Sequence, residues 1–410
     1  MPGFDRNGRL LLAGKALRSF AFGLNAVTLG LYLASLGLSP EGIGWVLSGA
    51  LLGTMALTLA VTFWGDRLGR RRSLIAGSLL MGLAALIPSL GGDPLLLAII
   101  GLSGMVAITS QESTGLQSLD QAALPQTVPP EQRTRAFAAY NVVAVAASAA
   151  GSLAAGLLPQ AASMAGLDGP SSYIPAFLLY SLTGLLAALV AVPLDRGIEV
   201  DFPVTRGLAI HRSRGTAGRL SMLFGLDALA GSFVVQSFLV YWFTERFGAD
   251  PVLLGVTFLL AGVLAAVSFP VAAWLSDRVG LVQTMVFTHI PANLFLIAAA
   301  MSPALPVALG FFLARAALSS MDVPARQSYT MAVVDADERT AVAGVTSLAR
   351  SLAQVPGPAL AGLLLVPLGI GVPLIAAGAL KIVYDLALFA SFRARPAPEE
   401  ITRRRTARGA

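Results

Sequence analysis

Long apolar runs alternate with short polar turns along almost the whole chain. The runs are Leu10–Leu36, Ile43–Trp64, Leu74–Leu90, Leu95–Leu119, Ala136–Leu158 and Tyr173–Val192, followed by Leu220–Phe243, Val252–Leu275, Val282–Met301, Ala304–Val323, Ala341–Val366 and Val372–Phe392. A membrane-spanning helix needs about 20 such residues. Inside lipid, a backbone satisfies its own polar groups only as a helix or a closed barrel, and barrel strands are alternating segments of about ten residues. These runs are too long and too evenly apolar for strands. The pattern therefore predicts an all-α integral membrane protein with twelve transmembrane helices. Asp195 to Arg219 is the longest polar stretch between spans and carries Arg196, Arg206, Arg212, Arg214 and Arg219. The expected organisation is a six-helix half over 1–194, a cytoplasmic linker over 195–219, a second six-helix half over 220–393 and a basic tail over 394–410.

Composition narrows the chemistry. Of the 410 residues 56% are hydrophobic and 12% charged, whereas soluble domains carry about 25% charge. There is no cysteine, and His211 and His289 are the two histidines, so disulfides, thiolate chemistry and a multi-histidine metal site are excluded or disfavoured. No metal and no cofactor are expected. The net charge of +6 lies in turns and tails, which is not the spread basic face of a nucleic-acid binder. Instead it sets topology. Arg67, Arg70, Arg71, Arg72, Arg133, Arg135, the linker, Arg278 and Arg339 share one side, and Arg246 stands nearly alone on the other. Both termini, with Arg6 and Arg9 at one end and Arg393 to Arg408 at the other, fall on the cytoplasmic side of a plasma membrane. Lys15 and Arg18 interrupt the first apolar stretch, so no cleavable signal peptide is expected. A Gly-rich phosphate loop with lysine is missing, and so is a catalytic constellation at either interface. Neither an ATP-driven pump nor an enzyme is expected.

The two halves repeat. Gln121 to Thr134 aligns with Gln327 to Thr340, with the glutamine, a valine, an acid, Arg133/Arg339 and the threonine in register. The same register pairs Gly151 with Gly357 and Gly156 with Gly362, and a nearby one pairs Gly37, Pro40 and Gly44 with Gly248, Pro251 and Gly255. The turn Trp64-Gly65-Asp66-Arg67-Leu68-Gly69-Arg70-Arg71-Arg72 recurs as Ser276-Asp277-Arg278-Val279-Gly280. Six spans per half give both repeats one orientation, an architecture of secondary transporters.

On these residues the chain resembles the major facilitator superfamily over nearly its whole length. Asp66, Arg67, Gly69, Arg70 and Arg71 match the family signature G-x-L-A-D-R-x-G-R-K, with Thr62 at its leading glycine; Asp277, Arg278 and Gly280 keep the second copy. Gln354 to Gly362, with Gly357, Pro358 and Gly362, is similar to the G-P-x-x-x-G element of antiporters, here on the eleventh span instead of the fifth. The arginine many drug/proton antiporters carry on the fourth span is replaced by the acid Glu112. Glu112, the loop Gln121 to Arg135 and Met321 to Gln327 resemble a bacterial, efflux-type branch. The resemblance implies two halves around a central cavity lined by spans one, four, seven and ten. It also implies a conformational latch at Asp66, Arg67, Gly69, Arg70, Asp277 and Arg278.

Charges inside spans carry an insertion penalty of about 2.5–3.5 kcal/mol each, so they need partners or water. The candidates are Arg18, Glu112, Asp227, Arg315, Asp322 and Arg350. At about 1.5 Å per residue, Asp227 and Arg315 reach similar depths and are expected to pair, while Arg18 and Glu112 share an inner depth in the first half. Such pairs serve either proton coupling or helix packing. Asn25, Tyr32, Gln236 and Trp242 are candidate linings of a substrate site, with helix-to-helix hydrogen bonding as the alternative. His289, beside Pro291, reads as structural. The expected function is a monomeric secondary active transporter using alternating access, with protons, a small-molecule substrate and membrane lipid as partners. Proton-coupled export is the leading reading. A facilitated or proton-coupled importer is the alternative, and a lipid-handling protein or membrane enzyme the reading from another class.

Overall fold

The computed structural model describes residues 3–86, 97, 99, 101–110, 114–129, 133–199, 212–334 and 338–394. Among these there is helix and no strand. The α-helices are α1 (Arg6–Ser35), α2 (Pro40–Leu68), α3 (Arg70–Leu86), α4 (Gly115–Ala123), α5 (Arg133–Met164), α6 (Ile174–Ala191), α7 (Arg214–Ser232), α8 (Gln236–Phe247), α9 (Pro251–Val279), α10 (Leu281–Met301), α11 (Leu305–Ser319), α12 (Asp322–Ala332), α13 (Arg339–Gln354), α14 (Gly357–Leu368) and α15 (Val372–Phe392). Nine segments among the described residues are long and apolar enough to cross a membrane. The fold is the all-α, two-halved, twelve-span membrane architecture the apolar runs predict. Large apolar side chains such as Val142, Leu189, Val267 and Phe287 are exposed on outer faces, as lipid-facing positions are.

The contacts divide the chain into two compact units, residues 1–204 with 235–263 and residues 205–234 with 264–410. In the first, α1 packs on α5, α6 and α8, and α3 packs on α6. Small residues let the α1 and α5 backbones touch: a Cβ on Gly23 would strike the Ser148 carbonyl, and one on Gly151 would strike the Phe20 carbonyl. This is the small-residue packing of membrane helices. In the second, α7 packs on α13 and α15, and α10 on α11, α12 and α15, around Leu223, Phe224, Met285, Tyr329, Tyr384 and Phe392. Gly357 lies against Ser232 and the Leu229 carbonyl. The repeat register thus holds in three dimensions: Gly151 and Gly357 make the same kind of contact in their own units.

Four runs read as continuous spans are interrupted. The seventh breaks between α7 and α8 at Phe233–Val235, the tenth between α11 and α12, and the eleventh between α13 and α14. Within the fourth, residues 102–110 are non-helical, and Gly104 takes φ +73°. The single helix expected over Leu95–Leu119 is therefore corrected to a broken one. Apolar content alone does not reveal such a break, because its cause is a glycine turn and side-chain partners on other helices. Two other boundaries move. α3 starts at Arg70 rather than Leu74, because a carboxylate receives its first amides. α7 starts at Arg214, so Arg214 and Arg219 belong to a helix and not to the linker.

Candidate functional site

Among the described residues the densest charge cluster lies in the second unit, inside the spans. Asp227 on α7 is 4% exposed and accepts from three cations on three helices. They are Lys381 Nζ on α15 at 2.5 Å, Arg350 Nη1 on α13 at 3.0 Å and Arg326 Nη1 on α12 at 3.1 Å. Arg326 also pairs with Asp322 at 3.2 Å, one turn back on α12. A turn beyond Lys381 on α15, Asp385 is fully buried. His289 Nδ1 on α10 lies 2.9 and 3.1 Å from its two oxygens, and Asn293 Nδ2 donates to it at 3.3 Å. Three carboxylates thus face three cations and one imidazole. Helices α7, α10, α12, α13 and α15 are tied together through charge, which is the satisfied form a buried ionic network requires.

The first unit has a smaller counterpart. Arg18 on α1 pairs with Asp120 on α4, and Tyr140 Oη donates to the same Asp120 oxygen at 3.0 Å. Lys15 lies 5.0 Å from the Tyr140 ring centroid. In the register that aligns Gln121 with Gln327, Asp120 aligns with Arg326. At that position the two halves carry opposite charges, each paired with a charge on the first helix of its own half; Arg18 aligns two residues beyond Asp227 in the register that pairs Gly37 with Gly248.

Deeper in this unit the non-helical stretch of the fourth span is held by side chains. Asn25 Nδ2 donates to the Ala107 carbonyl at 2.8 Å, and Tyr180 Oη donates to the Met105 carbonyl. Ser148 Oγ donates to the Ser110 carbonyl at 2.7 Å. The Ser237 amide and hydroxyl both reach the Ile108 carbonyl, at 3.2 and 3.3 Å. Gln236 Oε1 accepts from the Ser110 amide at 3.1 Å and from its hydroxyl. Irregular backbone at membrane depth survives only where protein satisfies it, and here α1, α5, α6 and α8 do so. Two donors on α8, Gln236 Nε2 and Trp242 Nε1, are buried and make no hydrogen bond among the described residues.

The basic turn after α2 is built on backbone geometry. Gly69 takes φ +90°, and Gly280 in the second copy takes φ +105°, a region that only glycine occupies readily. Glu199 accepts from the Arg70 amide at 2.7 Å and the Arg71 amide at 3.2 Å, at the N-terminus of α3. A carboxylate there satisfies orphan amides and suits the helix dipole. The Arg70 guanidinium is buried and donates to the Ile198 carbonyl at 3.0 Å and the Ala122 carbonyl at 3.3 Å. Arg278 stacks over Trp274, 4.1 Å from its ring centroid. Next to the turn, Asp195 accepts from Asn7 at 2.6 Å and from the Gly197 amide at 2.8 Å. The Asn7 bond, then the Gly197 bond, holds its carboxyl below the usual range.

Several expectations about partners change. Asp227 pairs with Lys381, Arg350 and Arg326, not with Arg315; among the described residues Arg315 makes no ion pair, and its Nε is buried without a hydrogen bond. The helical repeat fixes depth but not azimuth, so equal depth did not imply contact. Arg18 takes Asp120 as its acid; Glu112 lies outside the described residues, as do the side chains of Asp66, Arg67 and Asp277. Asp322 and Arg350 join the Asp227 cluster. Asn25 and Gln236 meet the same broken segment, Tyr32 packs edge-on to Phe177 at 5.1 Å, and Trp242 is fully buried against Phe243 and Phe247. Gly357 and Pro358 open α14, with Gly362 buried on it. Sequence reasoning missed Asp120, Glu199, Lys381 and Asp385. Lys381 and Asp385, four residues apart in an otherwise apolar span, were the visible signal.

The family model of the Major Facilitator Superfamily matches residues 11–355 and again residues 220–409. The "Uncharacterized membrane protein YJR124C" of Saccharomyces cerevisiae is 24% identical over 422 residues, covering 95% of this chain and 94% of that protein. A bacterial homolog of the human lysosomal transporter Spinster, in an inward-facing and occupied conformation, superposes with a TM-score of 0.73 at 16% identity, over 94% of this chain and 96% of the other. A D-xylose–proton symporter superposes with a TM-score of 0.71 at 14% identity, over 96% and 98%. With a family match across both halves and the transporter fold throughout, this multi-pass membrane chain belongs to the Major Facilitator Superfamily.

Proposed function

We propose that this chain is a proton-coupled secondary active transporter that exports a small molecule across a bacterial plasma membrane by alternating access. It works as a monomer, without cofactor, with both termini in the cytoplasm. The observation that carries the reading is the buried network around Asp227. Ionisable groups inside a membrane are functional by default, and this one joins five helices whose contacts a moving proton or substrate charge would alter. The unused donors of Gln236 and Trp242, with Asn25 and Tyr32 nearby on α1, suit a substrate lining of few polar groups. In the same reading the Asp66 turn and its copy at Asp277 act as the latch. A solved transporter of this fold is described as a proton symporter, so import with protons is the second reading.

Everted membrane vesicles containing the protein separate these readings. They are energised and loaded with a fluorescent reporter of the pH gradient, then exposed to a panel of cationic, anionic and neutral small molecules. An exporter's substrate discharges the gradient on addition and accumulates inside; a protonophore abolishes both. Accumulation with no effect on the gradient identifies facilitated diffusion, and uptake driven only in right-side-out vesicles identifies import.

A further inference from the structure

We infer that His289 and Asp385 form the proton-binding site of the C-terminal half, and that Lys381 carries the change of charge to Asp227. The inference rests on the proton-coupled reading above and names the groups that would serve it. Asp227 itself is a poor carrier by charge count. Three cations lie within 3.1 Å of it, and a proton on its carboxyl would leave them without that counter-charge. Asp322 is held by Arg326. Lysine and arginine heads already engaged with carboxylates have no second proton to take. His289 and Asp385 differ. The imidazole is 4% exposed and the carboxylate fully buried, and with the ring neutral the pair holds one uncompensated negative charge.

The geometry says where the proton goes. Both Asp385 oxygens lie within 3.1 Å of His289 Nδ1, and a carboxylate can only accept. With Asp385 ionised, Nδ1 is the donor and carries the hydrogen, and the neutral ring keeps its lone pair on Nε2. A proton arriving from the aqueous phase adds to that lone pair. No other bond breaks, Nδ1–H stays on Asp385, and the charge of the pair goes from −1 to 0. Release is the reverse step. Asn293, one turn along α10, donates to Asp385 and fixes its orientation in both states.

Coupling follows from the placement on α15. Lys381 and Asp385 are one turn apart on the same face, and Lys381 Nζ lies 2.5 Å from Asp227. With the pair at −1, Lys381 is drawn by two carboxylates. Once the pair is neutral it is drawn by Asp227 alone, which tightens α15 against α7. The charged and titratable groups facing the pair are Lys381 and Tyr384 on α15 and Asp227 on α7; behind them, Arg326 and Asp322 on α12, Arg350 on α13 and Arg315 on α11 face Asp227 or Tyr384. The bland alternative is a pair that only pins α10 to α15.

Having two histidines makes the test direct. His211→Gln leaves one imidazole. Ring-labelled [15N]histidine protein in lipid nanodiscs is followed by nitrogen NMR from about pH 5 to pH 9, the range in which imidazole changes charge. The expected result is a pH-dependent shift at Nε2 with Nδ1 protonated throughout, lost over the same range when Asp385→Asn is added. A ring whose shifts stay fixed across the range in the otherwise intact protein overturns the inference, as does the same titration in the Asp385→Asn variant. In vesicles, His289→Gln should retain substrate exchange but lose accumulation driven by the pH gradient. Gradient-driven accumulation that survives in His289→Gln overturns the inference and leaves the transporter proton-coupled. Loss of gradient dependence in the unaltered protein would instead remove the proton-coupled reading itself.

Discussion

Removing the charge of Asp227 without changing its shape is the sharpest perturbation of this protein. Asp227→Asn leaves the side chain in place but strands its cations. At separations of 2.5, 3.0 and 3.1 Å, each attraction amounts to about 5–7 kcal/mol at an effective dielectric constant of about 20. Most of that is offset by desolvation of the ions, so the expected net loss of stability is about 3–5 kcal/mol, typical of breaking a buried pair from one side. Lys381 should account for the largest share, because it is closest and its side chain is 9% exposed. Arg350, at 26%, is better screened, and Arg326 retains Asp322. A double-mutant cycle separates these terms. Combining Asp227→Asn with Lys381→Met should restore about 0.5–3 kcal/mol relative to the sum of the single changes. Pairing Asp227→Asn with Arg315→Gln should restore less, since Arg315 makes no bond to Asp227. Unfolding in detergent micelles, followed by tryptophan fluorescence, reads all of them. Strict additivity for the lysine cycle, or a single-variant loss under about 1 kcal/mol, refutes the account of this network.

Four further outcomes are expected. Gly69→Ala and Gly280→Ala should each destabilise by about 1–3 kcal/mol, because their backbone angles are strained for any residue with a Cβ; equal thermal stability of variant and parent would contradict this. Asn25→Leu leaves the buried Ala107 carbonyl unpaired and should cost about 1–3 kcal/mol, read as faster hydrogen exchange over residues 102–110. Because its folded pKa is depressed, Asp195 contributes stability that is present above its unfolded pKa and is lost as pH falls through the folded value. Asn7→Ala should therefore lower stability on the neutral plateau and converge on the parent at acid pH, so that the acid limb of the stability profile becomes shallower. Asp66→Asn should slow transport in proteoliposomes at unchanged levels of inserted protein, and unchanged flux would leave the turn with topology alone.

The apolar periodicity disclosed the spans, and the repeat disclosed their pairing into halves, because lipid leaves so few solutions for a chain this hydrophobic. Arg18, Asp227, Asp322 and Arg350 stood out for the same reason. Their partners did not. Asp120 lies just beyond the expected end of its span and looks like a loop acid. Lys381 and Asp385 sit near the middle of the most regular run in the chain, where the eye follows hydrophobicity. Contact between helices depends on azimuth and tilt, which a single sequence does not encode, so Arg315 was matched to the wrong acid. The break in the fourth span was hidden because its stabilising groups come from Asn25, Ser148, Tyr180, Gln236 and Ser237, on four other helices.

That last dependence orders events during synthesis. Residues 105–110 are non-helical, and the side chains that bond the backbone of Met105, Ala107, Ile108 and Ser110 are translated at very different times. Asn25 is already made, Ser148 follows the Ser110 carbonyl by 38 residues, and Tyr180 follows Met105 by 75. Gln236 and Ser237 trail Ser110 and Ile108 by 126 and 129 residues. At about 5–20 residues per second, the fourth span waits roughly 6–26 s for its last donors. The nascent N-terminal half is therefore an unfinished object in the bilayer until the eighth helix emerges, and any chain stopped before Gln236 presents bare peptide groups to lipid or to the insertion machinery.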